Sequence, residues 1–127
     1  LIEVMGMLGD RRRDDGMWTR FRATPVQTSS PLIALLGSSG FSAQLAGMLG
    51  LPFAYAHHFA TGATDIATQL YRDHFSPSPV LEQPYLIVGV GALAAETDIE
   101  AERIGLPGRI LRLGIRTNRR HPLVTPE

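Results

Sequence analysis

Apolar positions recur along the chain in two rhythms, one helical and one extended. Leu1, Val4, Met5 and Leu8 fall at i, i+3, i+4 and i+7, which predicts a short helix over residues 1–9 with Gly9 as its left-handed cap. A charged loop at 10–16 and an extended stretch at Met17–Arg22 follow, and a polar, proline-flanked connector covers 24–31. Leu32–Leu36 (LIALL) is an unbroken apolar run between Pro31 and Gly37, the pattern of a strand buried on both faces of a parallel sheet. Ser42–Leu49 predicts a helix stopped by Gly50, and Phe53–Ala56 (FAYA) a second strand entered through Pro52. Thr64–Phe75 predicts a helix with Ile66, Ala67, Leu70, Tyr71 and His74 on one face, closed by the Ser-Pro-Ser-Pro breaker at 76–79. Tyr85–Val90 (YLIVGV) is the strongest strand.

Thr97 and Glu100 have the spacing of a capping box, so a helix is expected from Asp98, with Gly105, Pro107 and Gly108 breaking or kinking it. Ile110–Arg116 alternates like a strand but is read as helix. Strand and helix thus alternate, the order of βαβ units with right-handed crossovers and a parallel sheet. Three such strands leave open edges, so the sheet is expected to pair with further chain or to be unstable alone. A doubly wound sheet and a (β/α)8 barrel would both complete it. The opening Leu-Ile-Glu-Val-Met reads as the inside of an element already under way, as in a piece of a larger protein.

Composition narrows the classes of function. The 127 residues are 44% hydrophobic, as in a folded domain, and 12 basic residues balance 12 acidic ones. No global field therefore favours nucleic acid or an anionic membrane surface as partner. Every basic residue is arginine, which is read as coding bias. With no cysteine there is no disulfide framework, thiolate metal site or cysteine nucleophile, and a cytoplasmic setting is the expectation. The apolar runs are too short to span a bilayer.

Two segments could carry chemistry, both on the carboxyl side of the expected sheet. Gly37-Ser38-Ser39-Gly40-Phe41-Ser42 joins a buried strand to a helix start, where inward-turned amides, the helix dipole and serine hydroxyls suit a phosphate. It is neither a Walker A loop nor a GxGxxG turn, and a plain strand-to-helix turn with Ser42 as N-cap is the simpler reading. His57-His58 ends the second strand, where at most one imidazole can look into a site, and a strand-end histidine bonded to backbone is an equal alternative. No metal site is expected, since no further ligand stands at metal spacing. His74 and His121 read as surface residues, Arg11-Arg12-Arg13 with Asp14 and Asp15 as a solvated loop, and the acids at 98–102 as helix-dipole partners.

These segments, LLGSSGFSAQLAGMLGLPFAYAHHF, LYRDHF and PYLIVGVGALAAETDIEAE, closely resemble the central part of the bacterial luciferase-like flavin-dependent monooxygenases, from about Leu32 to Glu127. The resemblance implies that residues 1–127 belong to a single barrel domain, an α/β partial (β/α)8 TIM barrel with strands five to seven at Leu32–Leu36, Phe53–Ala56 and Tyr85–Val90. It implies reduced FMN supplied by a separate flavin reductase, dioxygen and a small organic substrate as reactants, with deazaflavin F420 as the alternative cofactor. Gly37, Ser38, Ser39 and Ser42 would hold the FMN phosphate, and His58 would face the flavin or substrate cavity. Catalytic residues are unassigned, a homodimer is possible for the full-length form, and the segment alone is expected to have little activity. A non-catalytic phosphate- or nucleotide-binding module, or a degenerate remnant associating through its sheet edges, are the competing readings.

Overall fold

In the computed structural model, residues 1–10, 12, 15–26, 28–119, 122 and 124–125 are described; His121, and Arg11, Arg13 and Asp14 of the charged loop, lie outside them. The chain forms two compact units, residues 1–90 and 91–127.

The first unit opens with helix α1 (Ile2–Met7), which ends as the sequence predicts. Gly9 has φ +105°, and the amides of Gly9 and Asp10 return to the carbonyls of Gly6 and Met5, closing a Schellman motif. Of the predicted apolar stripe only Met5 is buried. Residues Met17–Thr19 form a 3-10 turn where an extended stretch was expected. The turn is held by the Met17 amide donating to the Glu3 carboxylate at 2.6 Å and the Thr19 hydroxyl donating to the Gly16 carbonyl at 2.8 Å. It lays the Trp18 ring against α1, so close to Gly6 and Gly16 that a Cβ on either would overlap it.

The sheet and its helices are β1 (Leu35–Gly37), α2 (Gly40–Met48), β2 (Phe53–Tyr55), α3 (Thr64–Asp73) and β3 (Leu86–Val88). The three strands are parallel in the order β1-β2-β3, with Leu35, Phe53 and Leu86 in register. The alternation of strand and helix read from the sequence is therefore the architecture. Phe53 and Tyr55 are fully buried with Ala43 and Ala46 of α2 and Ala67 and Tyr71 of α3, and Leu35 and Leu86 pack on that core. Burying each large side chain stabilises by about 1.5–3 kcal/mol. Gly47 lets α2 meet the end of α3, since a Cβ there would stand 2.7 Å from the Tyr71 carbonyl.

The strands are shorter than expected, and LIALL is not buried on both faces. Leu36 is 68% exposed. The reason is register: Leu36, Ala54 and Ile87 share the sheet face turned away from α2 and α3, and both Leu36 and Ile87 stay exposed there. The buried side of α3 is also rotated from the predicted one, to Ala67, Thr68 and Tyr71, leaving Ile66 and His74 exposed.

In the second unit α4 runs unbroken from Asp98 to Arg116 with Pro107 inside it, so of the expected break or kink the break does not occur. The helix-favouring segments on either side of Pro107 propagate through it despite a missing donor. Thr97 caps its start, accepting the Glu100 amide at 3.2 Å. Its end is a second Schellman closure, with Asn118 at φ +53° and the Arg119 amide on the Gly114 carbonyl. Among the described residues no helix is long and apolar enough to cross a membrane.

Candidate functional site

The carboxyl end of the sheet gathers the polar groups that the sequence singled out. Gly37 closes β1, Ser38 lies exposed in the turn, and Ser39 is the N-cap of α2. The expected N-cap, Ser42, is instead the third residue of the helix. Ser39 Oγ accepts the Ser42 amide at 3.4 Å, and Ser42 Oγ donates to the Ser39 carbonyl at 2.9 Å. The two hydroxyls lie 3.1 Å apart. This serine pair shifts the helix start two residues upstream of the expected one. Gly37 is needed beside it, because a Cβ there would stand 2.0 Å from Ser42 Oγ. No acidic residue lies in the first turn of α2, so the positive end of its dipole is not offset from within the helix.

On the neighbouring strand His57 and His58 part company, as adjacent strand-end residues should. His57 is half-buried, its Nδ1 2.7 Å from Thr64 Oγ1 at the start of α3. The Thr64 hydroxyl reaches the Thr61 carbonyl at 3.4 Å, which leaves its oxygen to accept from the imidazole. His57 therefore fastens the β2–α3 connection. His58 is exposed and crosses to the third strand, with both its amide, at 3.1 Å, and its ring Nδ1, at 3.0 Å, on the Gly89 carbonyl. Its ring meets that of Phe59 at a 45° tilt and a centroid distance of 4.3 Å. Gly89 in turn donates its amide to the Tyr55 carbonyl at 2.9 Å. Gly89 was not singled out in the sequence; its only signal is a glycine near the end of an otherwise apolar strand.

The amino end of the same sheet carries a different kind of group. The Tyr71 hydroxyl donates to the Leu51 carbonyl at 2.9 Å and accepts the Tyr85 amide at 2.9 Å, joining the approaches to β2 and β3. Burial pushes its phenol pKa above the ordinary value, against the opposing pull of the Tyr85 hydrogen bond. A cavity of about 440 Å³ lies near this end, lined by Arg12, Leu32, Ile33 and Leu51 among others, and is separate from the serine turn. Among the described residues no three His, Cys, Asp or Glu side chains group as metal ligands.

Comparison with known proteins supplies the context of this geometry. No family model matches the chain. A protein of Escherichia coli strain K12 called luciferase-like monooxygenase is 53% identical over 68 residues, 54% of this chain and 20% of that protein. The chain matches a segment of the luciferase-like family. The uncharacterized protein YvbT of Bacillus subtilis strain 168 is 53% identical over 83 residues, covering 65% of this chain and 25% of that one. The crystal structure of apo-MsnO8 superimposes with a TM-score of 0.70 at 36% identity, over 81% of this chain and 31% of that one. This chain thus spans a third or less of each of these proteins. The parallel βαβ unit agrees with part of a (β/α)8 barrel, and the open face bearing Leu36 and Ile87 agrees with a sheet that curves around an interior.

Proposed function

We propose that this chain is part of a flavin-dependent oxidoreductase of the luciferase-like class, a single barrel domain in which the turn Gly37–Ser42 seats the phosphate of reduced FMN. The observation that carries the reading is the carboxyl-end turn itself. Ser39 and Ser42 offer two hydroxyls beside the leading amides of α2, with no carboxylate in that first turn. The Ser42 amide meets Ser39 Oγ at only 3.4 Å, a long contact that a phosphate oxygen competes with readily. A dianion is favoured at such a helix start by amide donors and dipole together. Gly37, Ser38, Ser39 and Ser42 would hold the phosphate, and reduced FMN, when bound, would supply the electrons that activate dioxygen toward a small organic substrate. The chain's own residues bind and orient: the serine turn anchors the phosphate, and His58 on the adjacent strand lies toward the remainder of the cofactor.

The test is a titration of flavin fluorescence on the complete luciferase-like protein that carries this segment, with FMN, riboflavin and F420 in parallel. FMN is expected to bind at least tenfold more tightly than riboflavin, which lacks the phosphate. Ser39→Pro, which removes an amide and a hydroxyl and does not suit the φ of −130° at this position, is expected to abolish that difference. Equal affinity for FMN and riboflavin in the parent protein rejects the phosphate assignment. Tighter binding of F420 than of FMN moves the protein to the deazaflavin branch.

A further inference from the structure

A carbonyl oxygen can only accept, so the 3.0 Å contact between His58 Nδ1 and the Gly89 carbonyl requires the proton to sit on Nδ1. The same carbonyl takes the His58 backbone amide at 3.1 Å, so both its lone pairs serve one residue. The ring also meets Phe59, tilted at 45° with centroids 4.3 Å apart and itself 76% exposed. A Cβ on Gly89 would lie 3.4 Å from Nδ1, in ordinary contact, so it is the Gly89 carbonyl and not the missing side chain that holds the ring. No described residue bonds Nε2, and the side chain is exposed.

We infer that the Gly89 carbonyl fixes neutral His58 as its Nδ1–H tautomer, and so makes Nε2 a standing hydrogen-bond acceptor for a hydroxyl or N–H of the bound cofactor. Gly89 is the positioning residue and His58 the contacting one. Strand order places this acceptor correctly: β1, which leads into the serine turn, pairs directly with β2, which leads into His58. Neighbouring strands lie about 4.8 Å apart, so a ligand anchored by its phosphate at one strand end can reach the next with its polyol or ring. The ligand half of the inference rests on the flavin reading; the tautomer half does not.

The test is long-range proton–nitrogen NMR of the histidine side chains in the complete luciferase-like protein that carries this segment, at about pH 8, where an ordinary imidazole is neutral. His58→Asn assigns the resonances while keeping an N–H for the Gly89 carbonyl. Nε2 of His58 is expected at the position of an unprotonated ring nitrogen, with a Nδ1 proton protected from exchange. A protonated Nε2, or the mixture of tautomers given by a ring free in water, overturns the proposal. In the complete protein, FMN is then added while flavin fluorescence is followed. The His58 Nε2 resonance is expected to move toward the protonated position in step with binding. FMN bound with Nε2 unmoved overturns the acceptor role, whereas FMN that fails to bind overturns both the flavin reading and the ligand half of the inference, leaving the tautomer result to be judged alone.

Discussion

The two ends of the three-stranded sheet are built from different materials. At the amino end, a buried tyrosine hydroxyl satisfies backbone groups of two strands at once, and Leu51 and Pro52 are buried beside it. At the carboxyl end, Ser38, Ser39, His58 and Phe59 are exposed, and the hydrogen bonds among them join a turn to itself or one strand end to the next. The difference sets a buried, fastened end against an exposed polar one within about three residues of strand, and it is at the carboxyl rim that ligands of parallel α/β sheets sit.

Substitutions should respect that division. Tyr71→Ala removes a fully buried ring and leaves the Tyr85 amide and Leu51 carbonyl without their partner, so it should cost about 3–5 kcal/mol in chemical denaturation or prevent folding. Loss under about 1 kcal/mol would mean that the amino end is not the fastening point. The alkaline dependence is smaller and comes from the same side chain. Because the folded state holds the Tyr71 proton more tightly than the unfolded chain, stability should be fully present below the ordinary tyrosine pKa of about 10 and fall as pH rises past it. Denaturation midpoints measured on either side of that value should show this fall, and Tyr71→Phe should flatten it. The smallest effect belongs to the carboxyl end. Ser39→Ala removes only the cap of α2 and should cost about 1 kcal/mol of stability while weakening FMN binding by a larger factor. A substitution there as damaging as Tyr71→Ala would erase the contrast between the ends.

Much of this arrangement was legible from local pattern. Gly9, Gly50 and Thr97 mark helix ends where expected, because caps depend on neighbours in sequence. The parallel order of the strands follows from their alternation with helices. Three features escaped because they depend on distant neighbours or on competing local ones. The open face at Leu36 looks identical in sequence to a covered one, since hydrophobicity records what a strand is suited to contact and not what is beside it. The shift of the N-cap from Ser42 to Ser39 turns on which of two similar hydroxyls closes the turn. A backbone bond for the strand-end histidine was one of the two readings and is what His58 makes, but its partner Gly89 lies 31 residues away, with no periodicity to announce it. Pro107, expected to break or kink its helix, does not break it, because the helix on both sides carries through.

Trp18 is the chain's single tryptophan, and its ring is wedged against α1 beside Gly6 rather than against the sheet. Its emission is therefore a private gauge of the amino-terminal helix, blind to the strands, whereas the near-ultraviolet dichroism of Phe53, Tyr55 and Tyr71 belongs to the β-sheet core. Non-coincident melting of these two optical signals would reveal that the leading segment can peel away while the serine turn and its strands remain intact.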